Sequence, residues 1–249
     1  MNLYITRLNG MNNILQSLQY MTAETAHQLG FREMGVYYYN ANAEKPGERA
    51  VRFDGMIAGI SAGDIVICQL HTWNGLRFER ALVEHIKAYH GRIIVFIQSV
   101  EALMVKSSRF MLNETVELYN QAEALIVPSI QMKQFLLDAG IRAGMKFIIQ
   151  EMWDCTTNLS FLKEPEFRRE IHCAGMLPVL FQNRDCGVPV KQHNTAGQNE
   201  LLMELSEGGF GLEWYQDETA HQYMGYSNSF SVSRYLAAGI PVIVPAGIS

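Results

Sequence analysis

Apolar runs alternate with helical patterns along most of this 249-residue chain. The run "NLYITRL" (residues 2–8) has little polar alternation and reads as a buried strand, followed by a turn at "NGMNN" (residues 9–13). Ile14, Leu15, Leu18, Met21 and Ala26 then recur at helical spacing as far as Gly30, a residue suited to ending a helix. The same reading predicts strands at 34–40, 64–70, 92–99, 124–129 and 146–152, with helices between them that include 49–60 and 77–91. The polar stretch "ANAEKPGERA" (residues 41–50), punctuated by Pro46 and Gly47, reads as a loop. Strands without polar alternation are buried on both faces, the mark of a parallel sheet covered by helices.

The rhythm breaks from Cys155 to Glu166, around Pro165, which reads as an interdomain linker. A second α/β pattern follows, with strands at 170–176, 188–193, 210–215 and 240–246 and helices at 197–209 and 230–239. The expected fold class is therefore α/β, with two doubly wound domains at 1–154 and 166–249. Such domains bind ligands at the C-terminal ends of their strands, but the architecture alone names no chemistry.

Composition narrows the field. Hydrophobic residues make up 48% and charged residues 18%, as in an ordinary globular core. A net charge of −5 and the lack of a Lys/Arg run give no basis for a nucleic-acid partner. The four cysteines form no CxxC pair and the seven histidines show no metal-ligand spacing, so neither a disulfide framework nor a metal site is expected. No apolar stretch reaches the ~20 residues of a transmembrane helix, and the N-terminus does not look like a signal peptide, so a cytoplasmic protein is expected. GxGxxG, Walker A and GxSxG motifs are absent.

Several short stretches hold candidate chemistry. Asn9 and Gly10 lie in a strand-to-helix turn that either contacts a ligand or only turns the chain. In "HTWNG", Thr72, Trp73 and Asn74 follow a strand, where Trp73 either stacks on a sugar ring or packs and Asn74 either caps the next helix or binds ligand. Trp153 reads as packing at the domain junction. In "GGFGLEWYQDE", Gly208 or Gly209 is expected to end a helix, and Glu213, Asp217 and Glu218 are carboxylates whose separation the sequence does not fix.

Taken together, "YIT" with "NG", "FREMGVYYYN", "RFDGMIAGI", "TWN", "EMWD", "REIH", "LLMELSEGGFGLEW" and "YLAAGIPVIV" carry a resemblance over essentially the whole chain. They resemble the family of glucosyltransferases that add the second sugar to serine-rich repeat adhesins of Gram-positive bacteria. The chain is also similar to the wider β-1,6-galactofuranosyltransferase-like and nucleotide-sugar-synthetase-like group. The resemblance implies a GT-B architecture, two Rossmann-like domains facing a cleft, with 1–154 on the acceptor side and 166–249 on the nucleotide-sugar side. It implies metal-independent transfer of a hexose from a UDP-sugar to a sugar on a glycoprotein or polysaccharide, with the UDP-sugar as donor substrate and no cofactor.

The chain departs from the family pattern at its site positions. Val179 falls where the family has an arginine that meets the diphosphate, Thr195 near a tyrosine, and Ser231 at a lysine. Gln98 and Ser99 stand where the family shows His-Asp. Ser229, Ser231, Ser233 and Arg234 surround the start of the helix that faces the donor phosphates in the family. These serines read either as caps that retain part of a phosphate site or as the remains of a site that lost its lysine. No catalytic residue is assigned. The family pattern also continues beyond Ser249, so the second domain is expected to be incomplete. Two functions stay open: an active glycosyltransferase, and a catalytically degenerate paralogue acting as a glycan- or protein-binding accessory subunit. A homo-oligomer or an accessory partner is open as well.

Overall fold

The first apolar run becomes β1 (Leu3–Asn9) in the computed structural model, with Tyr4, Ile5, Thr6 and Leu8 buried. The structure describes residues 1–11, 14–155, 160, 162–175, 177–182, 187–193 and 197–246. They fall into two compact units, Met1–Gln150 and Glu151–Ser249.

In the first unit the elements after β1 are α1 (Ile14–Gln28), β2 (Arg32–Tyr37), α2 (Pro46–Met56), β3 (Ile65–Leu70) and α3 (Leu76–Ala88). Then come β4 (Arg92–Ile97), α4 (Glu101–Met104), α5 (Leu112–Tyr119), β5 (Ala124–Val127), α6 (Ile130–Asp138) and β6 (Lys146–Ile149). The six strands form one parallel sheet in the order β2-β1-β3-β4-β5-β6. The order reverses between β1 and β3, so the crevice at their C-terminal ends is the switch point where such sheets take ligands. On α1, Ala23 and Ala26 pack against Ile5. On α2, Phe53 meets Phe78 of α3 edge to face at 5.1 Å.

The stretch 41–50 is not the loop its composition predicts. It holds a 3-10 turn, Ala41–Ala43, and the start of α2. Pro46 is the first residue of the helix, where its missing N–H costs nothing and its fixed φ is already helical. Glu48 reaches back to the Lys45 N–H at 3.3 Å and closes the helix start.

The second unit contains β7 (Glu166–Ala174), α7 (Val179–Gln182), β8 (Val190–His193), α8 (Gln198–Leu205) and β9 (Gly208–Leu212). These are followed by α9 (Glu218–Met224), α10 (Phe230–Ala237) and β10 (Val242–Ile243). Its parallel sheet runs β10-β9-β7-β8, with the switch between β7 and β9. Leu201, Leu202, Leu205, Tyr235, Ala238 and Ile240 form a core cluster. Cys155 and Leu162 pack against that cluster, and Trp153 lies edge-on to Phe230 at 6.4 Å. The stretch read as a linker therefore contributes to the second unit.

Gly208 and Gly209 do not end a helix. α8 stops at Leu205, capped by Ser206, and both glycines lie in β9 with φ of +119° and +108°. A Cβ on Gly208 would stand 1.8 Å from the Glu166 carbonyl oxygen, so close approach to the irregular start of β7 requires glycine there.

The chain is thus α/β with parallel, Rossmann-like sheets. Among the described residues, no helix is long and apolar enough to cross a membrane. No group of three or more His, Cys, Asp or Glu that could hold a metal ion occurs among them. Cys68, Cys155 and Cys173 are free thiols, and Cys186 lies outside the described residues.

Candidate functional site

At the C-terminal rim of the first sheet, β1 ends in Asn9 and Gly10, and Gly10 has φ +92°. The Tyr38 N–H donates to the Asn9 carbonyl at 2.8 Å, which continues the β1–β2 pairing by one residue. His71 to Asn74 follow β3 at the same rim. Both Thr72 and Asn74 are buried, and neither is free to meet a ligand directly.

Thr72 donates to Glu79 Oε1 through its backbone N–H at 2.5 Å and its hydroxyl at 3.0 Å. Glu79 Oε2 faces His71 Nδ1 at 3.0 Å, and the Glu101 N–H points at His71 Nε2 at 2.9 Å. Burial pushes the Glu79 carboxyl up, but the His71 ring and the Thr72 donors outweigh it and hold the group low. Burial pulls the His71 ring down while the Glu79 charge raises it, with a net rise. The Glu101 amide opposes that rise, because a proton on Nε2 would set two N–H groups against each other. The geometry therefore fixes a carboxylate beside a ring that carries its proton on Nδ1.

Asn74 does not cap α3, whose N-cap is Gly75 without a side-chain bond. Its Oδ1 accepts the Tyr39 N–H at 2.9 Å, and its Nδ2 donates to the Tyr37 carbonyl at 2.9 Å. The loop after β3 is thereby tied to the end of β2, across the end of β1. Between Thr72 and Asn74, Trp73 takes a left-handed φ of +61° and stays partly exposed, its ring 6.0 Å from His71. Behind the rim, Gln98 donates its side-chain amide to Gln69, which bonds the Thr6 carbonyl at 2.6 Å, and Ser99 is buried.

In the second unit, Tyr235 ties the ends of β7 and β9 together. Its hydroxyl accepts the Ala174 N–H at 2.7 Å and donates to the Leu212 carbonyl at 3.1 Å. Immediately after β9, the Glu213 carboxyl lies near the hydroxyl groups of Ser229 and Ser231, and the Ser231 hydroxyl donates to the Ala174 carbonyl at 3.4 Å. Burial pushes this carboxyl up to about 7, and the serine hydroxyls offset only part of the rise. Ser229 is the N-cap of α10, its Oγ accepting from the N–H groups of Ser231 at 3.1 Å and Val232 at 3.5 Å. Ser229 is thus the helix cap, and with Ser231 it lies near the Glu213 carboxyl. Asp217 is spent as the N-cap of α9, and Glu218 is exposed in that helix's first turn, so Glu213 alone of the three carboxylates joins the serines.

Arg234 is buried, with its guanidinium 4.4 Å over the Phe230 ring, and burial pulls its pKa down to about 10. Its side chain is packed into the second unit rather than presented beside Ser229 and Ser231. Ser233 is also buried, and its Oγ has no hydrogen-bond partner among the described residues. Val179 opens α7 and is 60% exposed. Thr195, with Asn12 and Asn13 of the first turn, lies outside the described residues.

A family model described as "Glucosyltransferase 3-like, N-terminal domain" matches residues 2–152, and its C-terminal counterpart matches 157–249. The chain belongs to the glucosyltransferase 3-like family. "Glucosyltransferase 3" of Streptococcus parasanguinis is 34% identical over 267 aligned residues, which cover all of this chain and 80% of that protein. "Glucosyltransferase 3" of Streptococcus gordonii is 36% identical over 271 residues, again with all of this chain and 80% of that protein. Membership of the glucosyltransferase 3-like family gives the chain a glycosyltransferase-type function. Glu79, which orders the first rim, carries no motif, and although Tyr235 opens "YLAAGIPVIV", its tie between the ends of β7 and β9 shows only in the folded geometry.

Proposed function

We propose that this chain is a GT-B type glycosyltransferase that moves a hexose from a UDP-sugar to a sugar acceptor on a glycoprotein or polysaccharide. The second unit takes the donor and the first takes the acceptor. In the transfer, the bond from the anomeric carbon to the diphosphate oxygen breaks. A bond from that carbon to an acceptor hydroxyl oxygen forms, and the hydroxyl proton leaves to the departing diphosphate or to water.

The observation that carries the donor assignment is the cluster of Glu213, Ser229 and Ser231 at the switch point of the second sheet. A carboxyl group titrating near 7 serves two ligand chemistries there. When protonated it donates to a phosphate oxygen, and when ionised it accepts from a sugar hydroxyl. The partial positive charge at the start of α10 favours the diphosphate. A cytoplasmic setting belongs to the same proposal and fits the free, buried thiols of Cys68 and Cys173.

The test is incubation with UDP-glucose, labelled in the hexose, and a glycosylated peptide, read by mass spectrometry. One hexose gained by the glycopeptide is the expected result. Untouched donor, or release of free hexose alone, would count against transfer.

A further inference from the structure

β2 is an edge strand with one unusual position. Gly35 sits in its middle with an ordinary, non-positive φ. A Cβ there would meet only Tyr37 Cε2 at 3.8 Å and Asn9 Nδ2 at 3.9 Å, both normal van der Waals distances. Neither backbone conformation nor crowding therefore requires glycine. A glycine in a strand interior costs stability, and where the fold does not need it, close approach of a ligand is a standing explanation.

The surroundings say what kind of ligand. Tyr37 is 65% exposed, and its ring edge lies beside Gly35. Asn9, its register partner on β1, brings a carboxamide to the same spot. One Asn9 donor is used on the Arg7 carbonyl at 3.1 Å, while Oδ1 has no partner among the described residues. The backbone beneath is fixed, since Asn74 holds the Tyr37 carbonyl and the Asn9 carbonyl holds the Tyr38 N–H. Arg7, the register partner of Gly35 on β1, is already committed to Glu33 at 2.6 Å and stacked 3.9 Å over Tyr20. An exposed aromatic face, a free amide acceptor and no uncommitted charge match a neutral pyranose ring, with its apolar C–H face and its ring of hydroxyls.

We propose that Tyr37, Asn9 and the bare surface of Gly35 form a ledge that seats the terminal pyranose of the acceptor. The inference rests on the first unit being the acceptor side. Tyr37 stacks on the C–H face of the sugar, Asn9 Oδ1 accepts one hydroxyl, and the missing side chain at Gly35 leaves room for the ring.

Saturation-transfer NMR on the full chain tests it with three probes: methyl β-glucopyranoside, methyl β-galactopyranoside and methyl N-acetyl-β-glucosaminide. At least one should bind at millimolar concentration. Tyr37→Ala should weaken that binding about tenfold. Gly35→Ala should weaken it as well while leaving the melting temperature unchanged or higher, because the added Cβ enters the ledge and meets its neighbours only at ordinary van der Waals distance. Failure of all three glycosides to bind, or binding that survives both substitutions, overturns the ledge. UDP titration on the same samples separates the two claims. Glycoside binding without UDP binding leaves the ledge standing and removes the donor proposal, and UDP binding without glycoside binding does the reverse.

Discussion

The Glu213 carboxyl lies near the Ser231 hydroxyl at the start of α10, where the family resemblance puts a lysine facing the donor phosphates. A buried acid thus lies near the position expected for a cation, and pH becomes a lever on this unit.

The folded pKa of Glu213, about 7, lies above its ordinary value of 4.5. The fold therefore favours the protonated group. Its contribution to stability is complete below about pH 4.5 and is lost as pH rises through about 7. The loss should be about 1–3 kcal/mol, reduced by the partial exposure of the side chain. Glu213→Gln should flatten this part of the stability profile and raise stability at pH 8. Urea denaturation at pH 5 and pH 8 measures both, and an unchanged slope in the variant would refute the assignment.

Asn74 is buried with both ends of its amide bonded to the backbone of the Tyr37–Tyr39 stretch. Asn74→Ala orphans one carbonyl and one N–H, at a cost of about 2–4 kcal/mol. Asn74→Asp should be no better, since it sets a carboxylate oxygen against the Tyr37 carbonyl. A denaturation midpoint for either variant within experimental error of the parent would show that the tether carries no load.

Gly211 lies beneath the Tyr235 ring, and a Cβ there would be 2.2 Å from its Cγ. Gly211→Ala must push the ring off the Ala174 N–H and the Leu212 carbonyl, loosening the ends of β7 and β9. The expected loss is about 3 kcal/mol or more, from overpacking plus unsatisfied backbone groups. Thermal melting should show the drop. Tyr235→Phe, which keeps the ring and removes only the hydroxyl, should cost less.

Much of this fold is written in local pattern. The runs at 64–70 and 92–99 become β3 and β4 nearly residue for residue, because strands buried on both faces admit few polar residues. Pro46 opens a helix where composition predicts a loop, because proline punctuates loops and helix starts alike and only the turns that follow distinguish them. Gly208 and Gly209 lie in a strand where the pattern predicts a helix end, because helix-ending and close approach both select glycine. The site was less legible than the fold. Asn74 and Tyr235 act through partners 37 and 61 residues away in sequence, and no spacing rule reaches across a parallel sheet, while Glu79 turns back onto a loop residue seven positions before it. Arg234 stands at the start of α10 in the sequence, and only the fold shows its guanidinium packed over the Phe230 ring.

Calorimetric titration of the full chain with UDP tests the central claim most directly. The account predicts saturable binding in the micromolar range, weakened by Glu213→Ala and indifferent to Tyr37→Ala. A chain that is folded by circular dichroism yet gives neither heat nor thermal shift at millimolar UDP would contradict it.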